Sequence, residues 1–226
     1  MPWWHRKAFA RALALPLALL VAYSVGWYYY AKPALPGYAL WLLYAVYGML
    51  FTVFAVTCHR LVLLDAESVA KRWRLTWSMR ETRFFVWILG LWASGLVAMG
   101  VLLLIAANLW TWTVRGDPEW IDWAQTALKI PLLYVFARLC VVFPAMALDE
   151  RPSLRWAWER TQGNGWRLLV VVAGLPLAFK FLVDLLYRSE ATEAEWLVLT
   201  VLAIALFAVE IAAISLSYRE LTKETP

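Results

Sequence analysis

The chain has 226 residues, of which 63% are hydrophobic and 16% charged, and it carries 16 tryptophans. A soluble domain holds about 45–50% apolar and roughly 25% charged residues, and several apolar runs here exceed the ~20 residues that cross a bilayer. A sizeable soluble domain is therefore excluded, and the net charge of +5 has to be read by where the basic residues fall.

The apolar pattern predicts an all-α, polytopic membrane protein: a six-helix transmembrane bundle forming one domain over 1–226, with spans at about 9–30, 38–61, 84–107, 126–148, 167–187 and 196–217. Arg6 and Lys7 precede the first span as they would in a signal peptide. The apolar run continues past a typical h-region, so it reads as a signal anchor. The N-terminus, the 62–83 loop, the 149–166 loop and the C-terminus, with the span ends beside them, hold most of the 21 Lys and Arg. The opposite loops hold Lys32, Arg115, Lys129 and Arg188 alongside six acidic residues. The positive-inside rule then places both termini in the cytoplasm, with tryptophans such as Trp77 and Trp158 at the inner interface and Trp41 and Trp196 at the outer one. Basic residues in that position are contacts for anionic phospholipid, and no nucleic-acid partner is expected.

Span two ends in Cys58-His59-Arg60-Leu61 and is followed by Arg74-Leu75-Thr76-Trp77; span four carries Ala137-Arg138-Leu139-Cys140 and is followed by Arg155-Trp156-Ala157-Trp158. The two halves share a helix–elbow–helix outline, either as a parallel repeat or as a chance likeness of two basic loops. Within the second loop, Ser153 is a candidate N-cap, and Leu154, Ala157, Trp158 and Thr161 recur at helical spacing. Trp156 falls on the polar side of that pattern. Gly163-Asn164-Gly165 ends the segment, which reads as a short amphipathic helix lying in the inner interface. The 66–80 stretch is a weaker version of it.

Charges inside spans are costly unless paired or wetted, and there are four: Arg138, Lys180, Asp184 and Glu210. Counting from the inner ends, Arg138 and Glu210 lie at similar depth, which predicts an Arg138–Glu210 pair, serving either as an interhelical tie or as a substrate site. Lys180 and Asp184, four apart, neutralise each other. The turn formed by Gly163, Asn164 and Gly165, flanked by Arg160 and Arg167, is a candidate lipid phosphate-binding site, with a plain chain reversal as the alternative. Pro16, Pro131, Pro144 and Pro176 fall within spans, and Pro144 is placed to open its helix on the inner side of Arg138.

No catalytic or metal pattern stands out. His5 and His59 belong to no metal motif, no nucleophile elbow occurs, and Cys58 and Cys140 lie in apolar runs with no ligand spacing. No cofactor is expected. A lipid-directed enzyme would need His59, Asp149 and Glu150 to converge on one cavity.

At Arg138-Leu139, Pro144-Ala145, Ala157-Trp158 and Thr161 to Arg167 the sequence resembles a group of bacterial inner-membrane proteins. The group is similar to the YciC-type family and to the membrane domain fused to some glycerophosphodiester phosphodiesterases. The likeness covers about residues 130–180. It implies a six-helix protein of the bacterial inner membrane, and it does not carry over phosphodiesterase activity, which belongs to a separate soluble domain. The reading that follows is a non-enzymatic accessory or scaffold protein whose partners are membrane phospholipids and a membrane protein or a second copy. The alternative is a small permease or lipid transporter with its site at the Arg138/Glu210 level.

Overall fold

The computed structural model describes residues 6–27, 37–72, 75–113, 119–174, 176–179, 181 and 193–223, and its regular elements are all helical. They are α1 (Arg6–Gly26), α2 (Gly37–Leu63), α3 (Ala66–Arg72), α4 (Met79–Thr113), α5 (Glu119–Leu139), α6 (Val142–Ala147), α7 (Leu154–Arg160), α8 (Gly165–Leu169) and α9 (Glu193–Thr222). Five stretches are long and apolar enough to cross a membrane: Lys7–Gly26, Tyr38–Leu63, Met79–Ile105, Lys129–Ala147 and Glu195–Thr222. They coincide with five of the six expected spans. The remaining one, expected over 167–187, is described only as the shorter apolar stretch Gly165–Phe179. Its far part lies outside the described residues, and so do Lys180 and Asp184.

Two prolines account for the irregular helices. Proline has no N–H and its ring collides with the carbonyl four residues earlier. For Pro144 that carbonyl belongs to Cys140, and the helix stops there: α5 ends at Leu139, Cys140 and Val141 form a turn, and α6 restarts at Val142. The Cys140 carbonyl instead accepts from Phe143 N at 3.1 Å. In the same way α8 gives way to a π-helical turn over Val170–Gly174 just ahead of Pro176.

Packing gathers the loop-bearing ends of the helices. Ala8 and Ala12 of α1 are buried against Leu61 of α2 and Ala66 and Ala70 of α3, small side chains that let three backbones approach closely. The main core joins Phe54 and Cys58 of α2, Phe84 and Leu91 of α4, the Ala137–Ala147 region of α5 and α6, and Ile204, Ile211 and Ile214 of α9. The hydrophobic window of α5–α6 is 50% buried and that of α4 only 6%, so the first is the central strut and the second lies on the outside of the bundle.

The elbow between α6 and α8 follows the local signals. Ser153 is extended (φ −103°, ψ 163°) and its side chain accepts from Trp156 N at 3.1 Å, so it is the N-cap of α7. The buried face differs from the expected one. Ala157 and Thr161 are buried, whereas Leu154 and Trp158 are largely exposed. Trp156, expected on the polar side, is half-buried and its ring lies 6.3 Å from that of Tyr218. α7 packs chiefly on α5, and Trp156 is covered by Tyr218 of α9, neighbours which helical periodicity cannot anticipate.

Gly163 has φ +78° and ends the segment as a left-handed residue. Gly165 is needed for a different reason: a Cβ there would run into the Tyr134 ring of α5. Gly163→Ala should therefore cost about 1–2 kcal/mol of backbone strain, and Gly165→Ala about 1–3 kcal/mol of overpacking. In thermal unfolding in detergent, Tyr134→Ala should relieve the Gly165→Ala penalty and leave the Gly163→Ala penalty unchanged.

Candidate functional site

Charged and polar side chains converge where α2, α4, α6 and α9 end together. Arg60, near the end of α2, donates from Nη1 to the Ala147 carbonyl at 2.9 Å and reaches Asp149 Oδ2 at 3.4 Å. From α4, Arg80 Nη1 donates to the same Asp149 oxygen at 3.1 Å. Asp149 thus ties two spans to the end of a third. It does so at φ 68°, a left-handed conformation uncommon for a non-glycine residue.

Arg80 is itself positioned by the start of α4. Ser78 N donates to Glu81 Oε2 at 2.9 Å, the Ser78 hydroxyl donates to the same oxygen, and Arg80 Nε donates to Oε1 at 3.0 Å. This is a capping arrangement in which the acid at the third helical position returns to the cap residue. Glu81 is only 4% exposed, so its charge is held by these donors. The sequence signal S-x-x-E at Ser78–Glu81 marks the start of α4, five residues before the expected one.

The residues that a lipid-directed enzyme would need are each engaged by another side chain. His59 Nδ1 lies 2.7 Å from Ser215 Oγ, and that hydroxyl donates onward to the Ile211 carbonyl at 2.8 Å. With the hydroxyl proton so used, His59 Nδ1 carries the hydrogen and donates, and the ring is a tie between α2 and α9. Glu150 Oε1 accepts from Tyr218 Oη at 2.9 Å, and Asp149 is held by the two arginines. Each of the three has its own partner. Cys58 and Cys140 are both buried free thiols.

The expected Arg138–Glu210 pair is not formed, and no ion pair joins them among the described residues. Arg138 turns to the elbow instead. Its Nε donates to Thr161 Oγ1 at 2.9 Å, Nη2 donates to the Trp158 carbonyl, and its guanidinium stacks 3.6 Å from the centre of the Trp158 ring. The end of α7 leaves carbonyls without helical partners. A planar guanidinium can satisfy them and lie on an indole at the same time, which a single carboxylate on α9 does not offer. Arg138 is 7% exposed, so its charge is taken out of solvent by this cradle.

The other predicted site is only partly assembled. Arg167 Nη1 donates to Asn164 Oδ1 at 3.3 Å, and both line a groove that also contains Glu220. Gly163 and Arg160 are exposed, and Gly165 is filled by Tyr134. The groove brings an acidic side chain to the place proposed for a phosphate.

A second cavity lies at the other elbow. It has a volume of about 330 Å³ and is bordered by Arg60, Arg72 and Arg80, by Asp65 and Glu81, and by Val53, Val56, Leu64 and Val69. Asp65 caps α3, its Oδ2 accepting from Ser68 N at 3.0 Å. Three guanidinium groups, one each from α2, α3 and α4, border this hollow.

The geometry assigns Arg138 to the elbow rather than to α9. Arg138→Ala should destabilise the chain by about 2–4 kcal/mol, since it strips charge-assisted bonds from a buried helix end. Arg138→Lys, which cannot form the fork or the stack, should cost nearly as much. Glu210→Gln should leave thermal unfolding in detergent within about 0.5 kcal/mol of the parent.

No family model, no curated protein and no solved structure matches the chain.

Proposed function

We propose that this is a six-span integral protein of the bacterial inner membrane with both termini in the cytoplasm. In this reading α3 and α7 lie at the inner interface, and the chain acts without catalysis as an accessory or scaffold that meets anionic phospholipid at its basic end. The observation that carries it is the convergence of Arg60, Arg72 and Arg80 around a hollow bordered by α2, α3 and α4. Arginine forks suit phosphate oxygens, and an apolar wall beside them suits the glycerol and upper acyl region of a lipid. The resemblance of the Arg138–Arg167 region to YciC-type proteins supports the same assignment, and a membrane protein or a second copy is the partner class it fits.

Transport through a site at Arg138 and Glu210 has less support, because the Arg138 guanidinium is engaged by Thr161 and Trp158. Membrane enzymology centred on His59 likewise has less support, because His59 is engaged by Ser215.

Purified protein in liposomes containing phosphatidylglycerol should co-purify with anionic lipid, and rising salt should weaken that association, as expected of charges near a lipid surface. It should not accelerate the passage of solutes or lipids. A flux that Arg138→Ala abolishes would replace this reading with the permease.

A further inference from the structure

The charges around the 330 Å³ cavity do not add up to a simple anion trap. Asp149 takes one bond each from Arg60 and Arg80, and Glu81 takes another from Arg80. Those four charges neutralise one another. What is left over sits at the two ends of α3: Asp65 at its start and Arg72 at its finish, both exposed. Neither has an ion pair among the described residues, and they are not paired with each other. Seven helical steps separate them by roughly 10 Å, too far for direct contact between a short carboxylate and the guanidinium without distorting α3.

A cavity whose unpaired charges, among the described residues, are one cation and one anion is matched by a ligand that carries both. The bonds of the arginines leave room for it: Arg60 uses only Nη1, and Arg80 uses Nε and Nη1, so Nη2 of each remains for an oxygen acceptor beside the whole guanidinium of Arg72. Asp65 has committed Oδ2 to Ser68 N and keeps its other oxygen. Val53, Val56, Leu64 and Val69 supply an apolar wall.

We infer that this cavity binds one zwitterionic phosphoethanolamine headgroup, with its phosphate against Arg72 and the free edges of Arg60 and Arg80 and its ammonium at Asp65. The inference rests on the proposed membrane reading only in that the cavity must lie at headgroup depth. It differs from the broad attraction of basic loops for anionic lipid in predicting a single site with a preference for an amine.

Native mass spectrometry from micelles holding phosphatidylethanolamine and phosphatidylglycerol in equal amounts tests this directly. The parent chain should retain one lipid and favour phosphatidylethanolamine. Arg72→Gln, which breaks no bond within the protein, should lower retention of both lipids by about tenfold, the loss expected for a charge-assisted phosphate contact. Asp65→Asn keeps an amide oxygen to cap α3 and should leave phosphatidylglycerol retention unchanged while bringing the lipid ratio to about one, since its effect is confined to the ammonium contact. Glycerophosphoethanolamine added in solution separates the two sources of this chemistry. Displacement of the lipid identifies a free headgroup as a competent ligand, and persistence of the lipid identifies the membrane molecule. Equal retention of both lipids by the parent and by both variants overturns the inference. Protease accessibility in inverted vesicles reads the topology independently, so a chain that inserts as proposed yet shows no Arg72 or Asp65 dependence loses this site alone.

Discussion

Asp149 accepts bonds from two arginines on different spans, and the remainder of the basic end depends on its being where it is. Pro144 removes the hydrogen bond that would have carried α5 straight through, so the chain turns at Cys140 and Val141 and runs on as α6. The Ala147 carbonyl then faces Arg60, and the left-handed step at Asp149 swings its carboxylate between Arg60 and Arg80. A left-handed non-glycine residue costs about 1–2 kcal/mol. Here that cost is offset by two charge-assisted contacts at a point where helix ends would otherwise leave carbonyls and guanidinium groups unpartnered.

The same accounting runs through the other polar groups. A charge or an amide taken out of water must find its partner nearby, and in a helical bundle the nearest unsatisfied partners are the ends of helices. Arg60 goes to the end of α6, Arg138 to the end of α7, and Glu81 to the start of α4. His59 and Ser215 make a mid-helix tie, and there the serine is already bonded to its own helix, which fixes the histidine as donor.

That preference explains what could and could not be read from the sequence. Signals that act within a few residues were legible: Ser153 as a cap, Gly163 as a stop, Pro144 as a break, the length of the apolar runs. The capping box at Ser78–Glu81 is equally local and would have set the start of α4. The Arg138–Glu210 pair went wrong because depth along two spans says nothing about azimuth, and because a helix end competes with a carboxylate as a partner for arginine. The buried face of α7 was misread for a related reason, since Trp156 is covered by Tyr218, sixty-odd residues further along the chain. Gly165 reads from the sequence as part of a chain-reversing turn or a phosphate site, yet its role is to admit a tyrosine from α5.

Legibility also divides the two elbows. The second, from Asp149 to Arg167, is rich in sequence features and is mostly spent on its own architecture: Arg138 closes α7, Tyr134 fills Gly165, and Arg167 holds Asn164. The first, from Leu64 to Ser78, is plainer in sequence, yet α3 leaves Asp65 and Arg72 exposed at its two ends beside arginines that are only partly used. A side chain whose donors are all taken must break a bond to meet a ligand, whereas Arg60 and Arg80 each leave Nη2 unused. The end of α6 in turn places Asp149 between Arg60 and Arg80, so the second elbow completes the first.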